Sequence, residues 1–209
     1  MVDIKNDLAC GISPVERVGP YTREEFLNRV ISFHSYAAPG VIVGGIMVDL
    51  AMKQMPKSVL YDVICETHSC LPDSVQLLTP CTVGNGWLKI INLGRYAVSL
   101  YDKHNGNGVR VYLDPKKLQD YDEIQAWLLK LKPKHGQDTD RLQKQIWDAG
   151  QDIYTIHAVQ VKSSYLTKRS KGTIGLCSVC GEAYPIRDGA ICLGCQGESP
   201  YDAFLPSRS

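Results

Sequence analysis

The sequence predicts an α+β fold, an antiparallel sheet covered by helices, with a small cysteine-built domain appended at the C-terminus. Three observations predict it. Helical apolar spacing and strand-like alternation fall in separate runs rather than in regular βα repeats. The turn sequence Asn105-Gly106-Asn107-Gly108 joins two short apolar runs, as antiparallel pairing requires, because asparagine and glycine tolerate positive φ. Four of the eight cysteines form two CxxC pairs in a segment, from Thr173 onward, that holds few large apolar side chains.

The elements follow in order. Thr22-Arg-Glu-Glu25 reads as a capping box, and the helix it opens carries Leu27, Val30, Ile31 and His34 on one expected apolar face. Pro39-Gly40 breaks the chain before a second helix from Val41 to about Met55, stopped by Pro56. Gly44-Gly45 inside it costs roughly 1 kcal/mol of helix propensity per glycine, which predicts close backbone packing. Val59 to Thr67 reads as a strand and Leu71 to Leu78 as a short helix. Trp87 to Ile91, Tyr96 to Tyr101 and Val109 to Leu113 are expected as three consecutive strands of an antiparallel meander. Helices are expected over Asp122 to Leu131, with Ile124, Trp127, Leu128 and Leu131 inward, and over Thr139 to Ala149, ended by Gly150. Ile153 to Val161 supplies one more strand. The expected organisation is a core domain over residues 1–162, a polar linker over 163–172 and a cysteine domain over 173–209.

Composition excludes several classes. With 209 residues, 44% of them hydrophobic, the chain can bury a core and is neither disordered nor collagenous. Balanced charge, 23 basic against 22 acidic residues, provides no whole-chain attraction for nucleic acid or anionic membrane. The N-terminus, Met1-Val-Asp-Ile-Lys-Asn-Asp, carries charges where a secretory signal needs an apolar run. Val41 to Met52, the longest apolar stretch, is too short for a membrane span and contains Asp49. A cytoplasmic protein is expected, in which cysteines bind metal, react or fill core space rather than form disulfides.

The sharpest motif is Cys177-Ser-Val-Cys180, followed after eleven residues by Cys192-Leu-Gly-Cys195. Two CxxC pairs can present four thiolates to one tetrahedral ion, and soft sulfur in a closed set of four favours Zn²⁺ in a structural role. A rubredoxin-like iron site is the competing reading. Thioredoxin chemistry needs one CxxC. Zinc ribbons and treble clefs also bind nucleic acid, but here Arg187 between the pairs is balanced by Glu182 and Asp188, and Lys168-Arg-Ser-Lys171 reads as a solvated linker. Nucleic-acid binding is therefore not expected.

The other cysteines are Cys10, Cys65, Cys70 and Cys81. If Cys65-Glu-Thr-His-Ser-Cys70 stays extended, Glu66, His68 and Cys70 share one face. With His34 and Cys81 brought into the same region, a histidine and two cysteines, with Glu66, His68 or water as the fourth group, make a candidate site for a second divalent ion with an open position. The plainer reading is that these cysteines fill core space and the histidine is hydrogen-bonded.

The ordered set His34…Pro39-Gly40, then Glu66-Thr-His-Ser-Cys70-Leu-Pro-Asp73-Ser-Val-Gln76-Leu-Leu-Thr-Pro-Cys81-Thr-Val-Gly-Asn-Gly, then Gly108-Val-Arg110-Val resembles the formylmethanofuran dehydrogenase E-subunit family, from about Tyr21 to Leu118. The terminal quartet resembles the treble-clef finger that many members append. The resemblance implies an α+β core, a homodimer and a cavity lined by His and Cys motifs. Cys70, Asp73, Gln76 and Cys81 match the family pattern. In its His-Gly-His-x-Cys-Pro-Gly motif, His34 takes the first histidine, Tyr36 replaces the second and Ala38 replaces the cysteine. His68 stands where an aspartate is usual. The family enzyme fixes carbon dioxide onto methanofuran with a molybdenum or tungsten pterin, yet nothing in this sequence suggests a pterin-binding domain or a ferredoxin cysteine run. The resemblance thus implies an accessory or regulatory metal-binding subunit of one-carbon, methanogenesis-type metabolism, associated with other subunits of such a complex. Two alternatives stand beside it: a stand-alone metal- or thiolate-dependent enzyme using the core cavity, and a zinc-finger regulator binding nucleic acid.

Overall fold

The structure, a computed structural model, describes residues 15–167 and 172–202. The readings placed on Cys10, on the first seven residues and on residues 168–171 lie outside the described residues. The chain divides into two compact units, Met1–Leu166 and Thr167–Ser209.

The first unit begins with two short antiparallel strands, β1 (Arg17–Val18) and β2 (Tyr21–Thr22). Thr22 then caps α1 (Arg23–His34): its Oγ1 accepts from the Glu25 N–H at 3.3 Å, and Glu25 Oε2 accepts from the Thr22 N–H at 2.8 Å. The capping box is present as expected, and the expected face is present in part: Leu27 packs against the core and Val30 is buried, but the face turns toward Phe26. Phe26 and Val30 are buried, whereas Ile31 is exposed and His34 lies at the rim. The cause is Gly45 of α2 (Pro39–Gln54), where an added Cβ would stand 2.3 Å from Phe26 Cζ, so the aromatic ring occupies the space that glycine leaves. Gly44 likewise lets α3 (Leu71–Leu78) approach, and Ser74 Oγ donates to the Val41 carbonyl at 2.9 Å. The close packing expected of this glycine pair is therefore real. Helix α2 starts at Pro39, whose missing N–H costs nothing in a first turn, and is buried from Gly40 to Ala51.

The sheet has five strands in the order β4-β3-β5-β6-β7: β3 (Tyr61–Cys65), β4 (Leu88–Ile90), β5 (Ala97–Asp102), β6 (Asn107–Leu113) and β7 (Tyr154–Gln160). All pairings are antiparallel except β3 with β4. This corrects the expected meander: β3 lies between β4 and β5. The crossover through α3 is long enough to bring β4 back parallel to β3. After β4, the N–H groups of Ile91 and Leu93 donate to the carbonyls of Cys65 and Glu66, both at 2.9 Å, and carry the chain around the end of β3 to its other side. The tight β5–β6 hairpin is present at the Asn-Gly turn.

Helix α4 (Asp122–Leu128) ends earlier than expected because Lys130 adopts φ 56°; Leu129 and Leu131 are left exposed. Helix α5 (Thr139–Ala149) follows, with the Asp138 side chain accepting from the Arg141 N–H at 3.0 Å. Trp147 and Ile146 of α5, α2, and the inward residues Val63, Cys65, Val98, Leu100, Val109 and Val111 of the sheet form one core. A short helix, α6 (Ser163–Leu166), stands in the segment expected as linker. Among the described residues no helix is long and apolar enough to cross a membrane.

The second unit is a hairpin of β8 (Ile174–Leu176) and β9 (Ala183–Pro185), followed by a helical turn over Gly194–Glu198. Of its described apolar residues, Cys177 and Tyr184 are the buried ones, while Leu176 and Val179 stand in solvent. Burial on this scale cannot hold a fold together.

Candidate functional site

The second unit substitutes sulfur for a core. The ligand atoms of Cys177, Cys180, Cys192 and Cys195 all lie within 4.8 Å of one another, and Cys180 Sγ is 3.7 Å from Cys192 Sγ. A tetrahedron with Zn–S bonds of about 2.3 Å has an edge of about 3.8 Å, so the spacing fits the ion. The β8–β9 hairpin sets the first pair: the Cys177 N–H donates to the Glu182 carbonyl and the Gly181 N–H to the Cys177 carbonyl, both at 2.9 Å. Backbone N–H groups of Cys180 and Cys192 hold the Cys177 thiol down at about 6. Hydrogen bonding within the crowded quartet pushes Cys195 up to about 12, led by Cys192. Four thiols this close cannot all ionise unaided; a divalent cation removes the repulsion and deprotonates the set.

In the core, Cys70 sits at the head of α3 in a γ-turn, with φ 54°, ψ −45° and the Leu71 N–H donating to the Ser69 carbonyl at 2.5 Å. A non-glycine residue in this region is strained. The turn replaces the extended run that would have set Glu66, His68 and Cys70 on one face: β3 ends at Cys65 and the chain bends before α3. Consequently the Cys70 side chain meets the first turn of α2, where a Cβ on Gly40 would lie 2.9 Å from Sγ. Tyr96 closes this contact by donating its hydroxyl to the Gly40 carbonyl at 2.5 Å. His34, at the end of α1, is held by Asp73 of α3, with Nδ1 2.6 Å from Oδ2. With the carboxylate accepting from Nδ1–H, the neutral imidazole has its lone pair on Nε2, an arrangement found in metal-ligating histidines. Burial pushes the Cys70 thiol up, Asp73 adds to this, and Lys130 and Lys134 partly offset it.

The remaining expected site residues lie elsewhere. Glu66 is buried in an arginine clamp: Arg110 donates Nε and Nη2 to its two oxygens at 2.6 and 2.8 Å, and Arg95 Nε lies 2.7 Å from Oε2. Cys81 is buried with Sγ 3.6 Å from the Tyr61 carbonyl, its thiol raised chiefly by burial. Gln76 Oε1 accepts from the Val83 N–H at 3.5 Å, and His68 is exposed. Cys65 fills the core, and burial raises its thiol to about 12. Ala38, at the position where the family pattern has cysteine, is the buried N-cap residue of α2 and offers no donor. Among the described residues, the finger quartet is the group of three or more His, Cys, Asp or Glu residues with ligand atoms mutually this close. Tyr96, whose hydroxyl closes the contact between Gly40 and Cys70, escaped the sequence reading because no spacing rule ties it to that cysteine.

Fold and site together define an α+β domain in which Asp73 of α3 holds His34, with Cys70 at the head of that helix, followed by a four-cysteine finger whose geometry fits structural zinc. Residues 33–162 match the family described as FmdE, molybdenum formylmethanofuran dehydrogenase operon, and residues 168–202 match the FmdE treble clef zinc finger. The chain belongs to the FmdE family. The crystal structure of a tungsten formylmethanofuran dehydrogenase FmdE-like protein from Syntrophus aciditrophicus is similar at 51% identity and a TM-score of 0.84, covering 90% of this chain and 100% of that one. A probable S-adenosyl-L-methionine-binding protein of Archaeoglobus fulgidus is 28% identical over 204 residues, which span 87% of this chain and 56% of that protein. The chain thus spans little more than half the length of this curated relative.

Proposed function

We propose that this chain is an accessory or regulatory metal-binding subunit of one-carbon, methanogenesis-type metabolism. It acts in the cytoplasm as a homodimer, associated with other subunits of a formylmethanofuran dehydrogenase-type complex. The finger carries structural zinc. The core holds a second divalent ion through Cys70 Sγ and His34 Nε2, with the remaining positions left to water or ligand. The observation that carries this reading is the His34–Asp73 pair, with Asp73 on the helix that Cys70 heads, because the 2.6 Å contact commits Nδ1 and, in the neutral imidazole, leaves Nε2 for a metal. Burial raises the thiols of both Cys70 and Cys81, the direction opposite to a preformed thiolate nucleophile. That favours a ligand over a stand-alone thiolate enzyme, since a bound cation deprotonates a thiol that burial keeps neutral. Among the described residues of the finger, Arg187 lies 3.6 Å from Asp188, a paired cation that gives a nucleic-acid role little support.

Metal analysis of the purified chain tests the assignment. Two ions per chain are expected in the wild type, with the finger ion lost in Cys195→Ala and the core ion lost in Cys70→Ala. Full wild-type stoichiometry in Cys70→Ala refutes the core site. Co-purification of pterin-dependent dehydrogenase subunits with the tagged chain tests the accessory role, and their absence removes it.

A further inference from the structure

The two edges of the five-stranded sheet are finished differently. At one edge β4 has three residues, and the chain leaves it to bond at the end of β3. At the other, β7 runs for seven residues, Tyr154–Gln160, without a Lys, Arg, Asp, Glu or Pro. Soluble proteins blunt a long edge strand with charge, proline, a bulge or a cover, because its open N–H and C=O groups are a template for another strand. Two bonds set the phase of the β6–β7 ladder. The Val161 N–H donates to the Gly106 carbonyl at 2.8 Å, and the Asp114 N–H to the Ile153 carbonyl at 2.9 Å. Bonded pairs alternate along antiparallel strands, so Thr155, His157 and Val159 turn their backbone groups to Tyr112, Arg110 and Gly108 of β6. Tyr154, Ile156, Ala158 and Gln160 turn theirs outward. Tyr154 is already satisfied: its N–H donates to the Gln151 carbonyl at 3.2 Å, and its carbonyl accepts from Lys117 Nζ at 2.6 Å. The outward backbone groups of the other three have no partner among the described residues, and Ala158 and Gln160 are exposed.

We propose that this edge pairs antiparallel with β7 of a second copy of the chain, about a two-fold axis at Ala158, so that the two sheets become one. The disposition of the open groups selects the occupant. An interface formed about a two-fold axis must be complementary to itself, and Ile156 and Gln160 stand evenly on either side of Ala158. In that register Ala158 exchanges both of its bonds with its own counterpart, and Ile156 of each copy exchanges both with Gln160 of the other. Every open donor then meets an open acceptor, and none is left over. With no Lys, Arg, Asp or Glu on the strand, two copies come together without like charges opposite one another. The pairing rests on the homodimer proposed above and deepens it by naming the surface that forms it.

The test uses the full chain with its finger zinc, followed by sedimentation velocity from micromolar to submillimolar concentration. The wild type is expected to be dimeric. Ala158→Lys and Ala158→Glu each set like charges opposite one another at the axis. Because the site is exposed, the core is expected to keep its circular dichroism while the dimer weakens by about tenfold or more. Mixed in equal amounts, the two variants are expected to recover the wild-type dimer, which a merely misfolded variant does not do. On mild oxidation Ala158→Cys is expected to link to its counterpart, identified by peptide mass spectrometry. Opposed residues of a bonded antiparallel pair have Cα atoms about 5.5 Å apart, within disulfide range. Thr155→Cys, well off the axis, is expected to stay unlinked. A wild-type monomer throughout overturns the pairing and the homodimer together. A wild-type dimer that both charged variants leave intact, or in which Ala158→Cys forms no link, overturns the pairing alone and leaves the homodimer to another surface. The metal assignments are scored by stoichiometry and are untouched by either result.

Discussion

The two units use the same side chain for opposite ends. In the first, Cys65 and Cys81 are core residues whose thiols are pushed up by burial, and the fold around them would stand without any sulfur chemistry. In the second, four cysteines replace the core itself, and Cys177 is drawn down to about 6 by backbone N–H groups aimed at its sulfur. Cys70 belongs to neither pattern. It is half-buried and held in a strained turn at the head of α3, against the first turn of α2.

Removing metal gives the largest expected break in this contrast. Structural zinc in small domains is worth about 10–16 kcal/mol of apparent folding free energy, far more than the buried apolar area of the second unit can replace. A strong chelator, or Cys177→Ser, is expected to make the region beyond Leu166 protease-sensitive while the core up to Leu166 keeps its helices and its Tm within a few degrees. Limited proteolysis with mass spectrometry and circular dichroism checks both halves. Loss of the core along with the finger would show that the two units depend on each other.

The next break falls inside the core, at Glu66. Burial pushes this carboxyl up, but Arg110 and then Arg95 outweigh it, so its pKa lies below the ordinary value of 4.5. The sign follows: the folded pKa is depressed, so the clamp's stabilisation is complete above the unfolded value and is lost as pH falls below about 4.5 through the folded pKa. Glu66→Gln leaves Arg110 without its carboxylate, and breaking a buried pair from one side typically costs about 3–5 kcal/mol. Arg95 is exposed and adds little to that figure. Urea unfolding at pH 7 is expected to show the loss, and the gap between wild type and variant is expected to shrink below pH 4.5. A gap independent of pH would assign the loss to packing instead of charge.

What was legible in the sequence was mostly local. The CxxC pairs, the capping box at Thr22, the Asn-Gly hairpin and the tight Gly44-Gly45 contact each depend on neighbours a few residues apart, and each is present. The misread features depend on distant partners. Strand β4 reaches the edge because Ile91 and Leu93 bond to carbonyls at the end of β3, which no spacing within either strand encodes. The inward face of α1 is decided by a glycine on another helix. The shared face expected of Glu66, His68 and Cys70 needed an extended backbone, and the turn at Cys70 removed it. The contact of Cys70 with Gly40, closed by the Tyr96 hydroxyl, likewise joins residues distant in the chain and carries no sequence signature of its own.

The smallest expected effect sharpens the same lesson within the first unit, between α1 and α2. Helix α1 is largely exposed and relies on Thr22 and Glu25 to satisfy its first N–H groups; α2 has no side-chain cap at Ala38 and is held by burial along nearly its whole length. Thr22→Ala is therefore expected to cost about 1 kcal/mol, the usual worth of an N-cap oxygen, whereas Thr22→Ser should be nearly neutral. On a domain of this size that amounts to about 2–4 °C in Tm, readable by calorimetry. Ala38→Ser offers α2 a cap it does not use. If burial rather than capping decides that helix, the added hydroxyl brings no gain, because a buried polar group must first recover its own desolvation cost. A rise in stability of about 1 kcal/mol in Ala38→Ser would show instead that the head of α2 is under-satisfied, with N–H groups still open beside Cys70.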